Sequence, residues 1–152
     1  MIAVIRVRGT VHVTRKVRET LEMLRLFKTN HLALIRDDKS MRKMVEKVKD
    51  YVTYGDISEQ TLLTLVEKRG RSEGNRRLTE EFFKEKKING FSGLAKEISN
   101  GAKLKDLGLE QVFRMNPPKK GYERNGIKKP FNLGGALGNR GDKINGLILR
   151  MS

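Results

Sequence analysis

With 152 residues the chain is long enough for one domain with a modest core. Its 33 Lys and Arg against 18 Asp and Glu leave a formal net charge of +15, which points to a polyanionic partner, nucleic acid before an anionic membrane surface. There is no cysteine, the two histidines (His12 and His31) are far apart, and no apolar run approaches the roughly 18 residues of a membrane span. These features argue against disulfides, metal sites, cofactors and membrane insertion.

The charge is unevenly spread. Residues 1–55 hold 13 basic and six acidic side chains, residues 56–115 hold 12 and ten, and residues 116–152 hold eight and two. The middle segment reads as ordinary surface, the two ends as polyanion-binding. Met1–Arg6 places its charge after an apolar start, the reverse of a secretory signal, which implies a cytoplasmic protein.

In chain order, Ile2-Ala3-Val4-Ile5 is apolar on both alternating faces, which predicts a central strand covered on both sides. Thr14 is a suitable N-cap for a helix whose apolar face is Val17, Leu21, Leu24 and Phe27. Arg15, Lys16 and Arg18 crowd the first turn, where cations oppose the helix dipole at about 0.3–1 kcal/mol each. Something negative is therefore expected there. The polar corner Lys28-Thr29-Asn30 leads into a strand at His31–Arg36, giving a β-α-β crossover expected to be right-handed. After Asp37-Asp38, whose placement suits capping or solvation, Met41, Met44, Val45 and Val48 predict a second helix from Ser40 to about Asp50. Tyr51–Tyr54 suits a third strand paired with the first. The expected fold class is α+β: a two-layer β-α-β-α-β unit over 1–55, with a small three-stranded sheet and the first strand central.

Residues 56–115 read as a helical insertion packed on that unit. Ser58 caps a helix with Leu62, Leu65 and Val66 on one face, and Arg69–Asn75 reads as a loop. Thr79 caps another, opened by Glu80 and Glu81 and closed by Lys84, Lys86 and Lys87; a third spans Ser92–Ser99. Val112–Met115 is a candidate edge strand, ended by Pro117-Pro118. Residues 116–152 form a basic, glycine-rich extension in which only Ile144–Met151 suits a helix. Its low apolar content predicts that it takes its order from a partner.

No catalytic pattern is found. The stretch Gly134–Lys143 lacks the Gly-Lys-Ser/Thr ending of a phosphate loop, and its glycines suit either close approach of backbone to phosphates or a flexible linker. His12 has no nearby Asp or Cys, and no serine sits in a nucleophile elbow. With six Phe and three Tyr, recognition should rest on shape and phosphate contacts rather than base stacking. Candidate RNA-binding residues are Arg8, His12, Arg15, Lys16 and Arg18 near the first loop, Lys28 and Asn30 at the corner, and Lys119, Lys120, Arg124, Lys128, Lys129, Arg140 and Lys143 in the extension.

Several stretches also carry a resemblance. Thr20-Leu21, Leu24, Leu26, Lys28-Thr29-Asn30, His31, Met44-Val45, Val48 and Tyr51-Val52 follow the order and spacing of the ribosomal protein family called "L-thirty" in bacteria and archaea and "L-seven" in eukaryotes. Phe113–Pro118 and Gly134–Gly138 resemble its longer archaeal form. The start of the chain departs from the eukaryotic form, which has a basic extension, and the residues after Gly55 depart from the short bacterial one. The resemblance implies a structural component of the large ribosomal subunit, not an enzyme. It implies contacts with large-subunit rRNA, with 5S rRNA and with neighbouring ribosomal proteins, and no small-molecule substrate. The alternative is an assembly or RNA-processing factor that binds rRNA transiently.

Replacing Arg15, Lys16 and Arg18 together with Gln is expected to stabilise the protein by about 1 kcal/mol in thermal unfolding at low salt while weakening RNA binding. Undiminished RNA affinity would remove the argument from the helix dipole.

Overall fold

The computed structural model describes residues 1–86 and 88–152; Lys87, expected to help close a helix, lies outside the described residues. The fold is α+β, built on a mixed five-stranded sheet. Strands β1 (Ile2–Arg6), β2 (His31–Ile35) and β3 (Val52–Asp56) alternate with helices α1 (Arg15–Met23) and α2 (Lys39–Lys47). Helix α3 (Glu59–Arg69), a two-stranded hairpin of β4 (Arg71–Ser72) and β5 (Arg76–Arg77), and helices α4 (Glu80–Lys86) and α5 (Gly90–Ser99) follow. Strand β6 (Val112–Arg114), strand β7 (Gly138–Asn139) and helix α6 (Ile144–Met151) complete the chain. The sheet order is β6-β2-β1-β3-β7.

The expected three-stranded sheet is thus widened at both edges. The expected parallel crossover from β1 to β2 is replaced by antiparallel pairing, Ile2 opposite Ile35 and Ile5 opposite Leu32. The reason lies in the connection. Residues 7–14 run out to α1 and residues 24–30 run back, so β2 starts where β1 ends, and the Asn30 N–H donates to the Arg6 carbonyl at 2.8 Å. Both β2 and β3 are antiparallel to β1. They are therefore parallel to each other, and α2 makes the crossover that bridges them.

Helix α1 is shorter than its apolar spacing suggests. Arg25 takes a left-handed backbone (φ 59°), and the N–H groups of Arg25 and Leu26 return to the carbonyls of Glu22 and Leu21, both at 2.8 Å. This is a Schellman-type stop. It turns Leu26 into the core and leaves Phe27, expected on the helix face, 53% exposed. Thr14 and Asp38 hold the N-cap positions of α1 and α2 without side-chain caps, whereas the Ser58 hydroxyl accepts from the Thr61 N–H at 3.3 Å. Asp37 forms an ion pair with Arg42.

Both faces of β1 are covered. Ile2 and Val4 meet Leu21, Leu24, Val45 and Val48 on one side. Ala3 and Ile5 belong to a larger cluster with Leu62, Leu65 and Val66 of α3, Leu94 and Ile98 of α5, and Ile144, Leu147, Ile148 and Met151 of α6. The sheet is therefore the middle of three layers, not one of two. The C-terminal segment, expected to await a partner, is part of this core. Its four inward residues on α6 are essentially inaccessible, and β7 runs parallel to β3. Gly55 makes that seam possible, because a Cβ there would lie 2.1 Å from the Gly141 carbonyl oxygen.

Truncating Leu147 to Ala should cost about 2–5 kcal/mol in denaturant unfolding. A midpoint unchanged from the parent would place α6 outside the cooperative core.

Candidate nucleic-acid interface

Antiparallel pairing gathers four distant chain positions at one end of the sheet: the end of β1, the start of β2, the start of β3 and the end of β6. The connecting loops are tied together there. Val7 and Arg8 donate N–H groups to the Tyr51 carbonyl at 2.9 and 3.1 Å, and Met115 donates to the Asn30 carbonyl at 3.0 Å. The C-terminal segment joins the same end. The Tyr122 hydroxyl donates to Asn30 Oδ1 at 2.9 Å, and Tyr122 packs against Val7, Ala136 and Leu137. Cations from both ends of the sequence are thereby brought to one region.

Two arginines build this region from within. Arg6 is 3% exposed and donates through Nη1 to the carbonyls of Leu26 and Phe27 at 2.6 and 2.9 Å, and through Nε to that of Arg8 at 3.0 Å. Burial lowers its pKa from the ordinary value, yet a guanidinium stays charged in proteins. Arg140, expected to bind RNA, is likewise buried and cannot reach a ligand. Its Nε donates to Thr53 Oγ1 at 2.7 Å, its Nη2 to the Ala136 carbonyl at 3.0 Å, and both terminal nitrogens to the Glu123 carboxylate. Its guanidinium also lies over the Phe131 ring at 4.6 Å. A buried guanidinium needs such a partner set, because each donor left unmade in a dry site costs free energy. Burial pushes the Glu123 carboxyl up, but hydrogen bonds and charge from Arg140, with Arg150 nearby, hold it below its usual value.

The remaining candidates divide clearly. Asn30, half-buried at φ 62°, spends its side-chain oxygen on Tyr122 and both backbone groups on β1 and Met115, so it shapes the corner. Arg8 is half-buried, with its guanidinium 5.0 Å from the Tyr51 ring centre and Nη1 donating to the Asp50 carbonyl at 3.2 Å. His12, Lys28, Lys119, Lys120, Arg124, Lys128 and Lys129 are exposed on the loops of this end. Arg15, Lys16 and Arg18 are exposed along α1, where Arg15 pairs with Glu19 at 2.8 Å. Lys143 lies past β7, after the turn that packs Gly141 on Gly55, with its ammonium 5.7 Å from the centre of the Phe131 ring that Arg140 also covers.

Sequence reasoning missed Lys49 and Arg114. Both are exposed at this end, Arg114 because the β2–β6 register sets it opposite His31. Only the register reveals it. His31 is half-buried, with its Nδ1 enclosed and unpartnered. Its pKa is lowered by burial and then by the positive field of Arg114, Lys28 and Arg6. The glycines of the extension serve the protein itself at Gly135, whose Cβ position is filled by the Lys129 carbonyl at 2.1 Å.

Among the described residues no group of three or more His, Asp or Glu is placed to hold a metal ion, and no helix is long and apolar enough to cross a membrane. The class so defined is an α+β protein with a cationic loop end on a sheet covered on both faces.

Residues 2–52 match the model of the family described as "Ribosomal protein L30p/L7e". Across nearly its full length the chain is similar to proteins named "Large ribosomal subunit protein uL30". It is 49% identical to that of Nanoarchaeum equitans, covering 97% of this chain and 96% of the relative. It is 50% identical to that of Methanococcus maripaludis (98% and 97%) and 48% identical to that of Archaeoglobus fulgidus (99% of each). The chain belongs to the L30p/L7e family of ribosomal proteins, which are structural proteins and not enzymes, and the relatives just named are archaeal.

Because the Glu123 pKa is depressed in the fold, the stability it contributes is complete above the usual carboxylate range and is lost as pH falls through that range and below. Glu123→Gln should lack this acid-dependent loss and should cost about 3 kcal/mol at neutral pH by leaving Arg140 unpaired. Urea unfolding of both proteins across the acid range checks the sign.

Proposed function

We propose that the protein is a structural constituent of the large ribosomal subunit, working in the cytoplasm, that binds large-subunit rRNA, touches 5S rRNA and lies against neighbouring ribosomal proteins. One observation carries this reading: cations from the two ends of the sequence are brought to one end of the sheet by a network that includes Asn30 and Tyr122. The names of the relatives agree with it. Arg8, His12, Lys28, Lys119, Lys120, Arg124, Lys128 and Lys129 would meet phosphates at this end, joined by Lys49 and Arg114. Arg15, Lys16, Arg18 and Lys143 would extend the contact along the surface. The buried arginines Arg6 and Arg140 hold the loops that present them. Such a surface binds by charge and shape, with little sequence readout.

Changing Lys119, Lys120, Arg124, Lys128 and Lys129 to Gln should leave the melting temperature near that of the parent. It should make the salt dependence of rRNA binding shallower by about 0.7–0.9 in the log–log slope for each phosphate that is no longer neutralised. Arg140→Gln should do the reverse, lowering stability. In sucrose gradients, one copy per large subunit retained at high salt is the expected result; presence only on immature particles would favour a transient assembly or processing factor.

A further inference from the structure

The middle segment is nearly neutral overall, yet its charge is segregated. Arg69, Arg71, Arg76 and Arg77 lie within nine residues, on the end of α3 and on the β4–β5 hairpin. The hairpin is fixed in place. Its turn closes with the Asn75 N–H on the Ser72 carbonyl at 3.0 Å, with Gly74 and Asn75 at φ 80° and 62°. One strand is stitched to the approach to β6, since the Glu110 N–H donates to the Arg71 carbonyl at 2.9 Å and the Glu73 N–H to the Gly108 carbonyl at 3.2 Å.

Within this rigid frame the register sets Arg71 directly opposite Arg77. Like charges facing each other across a ladder destabilise it. No ion pair within 4.0 Å relieves them among the described residues, although Glu67 and Glu110 are close by. Two clefts share Arg69 and Arg71: one of about 320 Å³ reaches Arg77, the other of about 160 Å³ reaches Arg114. Arg69 also has a local role, because a cation in the last turn of α3 complements the helix dipole. Arg71 spends one donor, Nη1, on the Gly70 carbonyl at 3.2 Å, whereas Arg77 and Arg114 make no side-chain hydrogen bond or ion pair among the described residues.

We propose that the β4–β5 hairpin and Arg114 form a second polyanion-binding track, in which the guanidinium groups of Arg71, Arg77 and Arg114 take successive phosphates of an RNA backbone. An RNA phosphate between Arg71 and Arg77 would turn their repulsion into a shared charge-assisted contact. Arginine suits the task, since its planar fork matches phosphate oxygens in pairs. The track is continuous with the interface described above, because Arg114 lines one cleft and also stands opposite His31 at the sheet end. One RNA strand can therefore run from the loops across the β6 edge to the hairpin. That continuity favours a polyphosphate chain over a short acidic peptide. The inference rests on the rRNA-binding reading and extends it to a face that the segment's net charge conceals.

The test uses the full chain, a transcript of large-subunit rRNA, and poly-glutamate as a protein-like polyanion. Arg71→Gln, Arg77→Gln and Arg114→Gln combined should keep or raise the melting temperature. The log–log salt slope of rRNA binding should become shallower by about 2, as expected when three phosphates lose their cations. Poly-glutamate binding should be unaffected. A parallel variant carries Lys28→Gln, Lys119→Gln, Lys120→Gln and Arg124→Gln. If that variant alone flattens the slope, the hairpin is not an RNA contact while the rRNA reading stands. If neither does, both fail. Loss of poly-glutamate binding with rRNA binding intact would assign the track to an acidic protein and overturn the proposal. Should the triple variant not fold, Arg77→Gln alone, at an exposed position, should flatten the slope by about 0.7–0.9; an unchanged slope there would sink the proposal equally.

Discussion

The fold depends on one requirement: β1 has to be dry on both faces. Five consecutive residues, Ile2 to Arg6, are buried. No single helical layer can cover both sides of a strand whose side chains alternate. Helices α1 and α2 shield Ile2 and Val4, and α3, α5 and α6 shield Ala3 and Ile5. Each fully buried Leu, Ile or Met contributes about 1.5–3 kcal/mol relative to exposure. The inward face of α6 therefore weighs heavily in a chain of this size. The C-terminal segment is recruited into the structure for that reason.

Burial of β1 also decides what arginine does in this protein. Arg6, at the end of the strand, cannot reach water and instead collects the carbonyls of the 26–27 corner. Arg140 collects Thr53, Glu123 and the Ala136 carbonyl, pinning the extension to β3. Fixing loops by buried guanidinium groups is costly unless the donors are matched, and here the partners are backbone oxygens, the Thr53 hydroxyl and one carboxylate. The loops so held then carry the exposed cations. Buried and exposed arginines are chemically identical; only their position relative to the sheet separates them.

Legibility follows the range of the interactions. Ser58 is readable as a cap because its partner, Thr61, is three residues away. The stripe Leu62, Leu65 and Val66 is readable because helical periodicity is local. Phe27 misleads, because the stop that ends α1 uses a non-glycine left-handed residue, Arg25, for which composition gives no sign. Strand β7, two residues long and containing a glycine, has no strand signal of its own and exists through its pairing with β3. Among the candidate site residues, lysines such as Lys28 and Lys119 are exposed, as their charge alone leads one to expect. The burial of Arg140 and the structural bond of Asn30 are not legible in the sequence, because the partner of Asn30, Tyr122, is distant in sequence and that of Arg140, Glu123, is brought close only by the fold.

By itself, the sequence determined the central strand, the main helices, the strongly basic character and the family pattern, since each is written in side-chain period, capping, charge or local spacing. Tertiary structure alone decided the antiparallel direction of β2, the third layer, the incorporation of the C-terminal segment and the sorting of arginines into buried and exposed. Those outcomes depend on which distant residues share a face or an edge of the sheet. Strand direction depends on where a loop returns, and burial depends on what arrives from far along the chain. Neither is a property of any local window of residues.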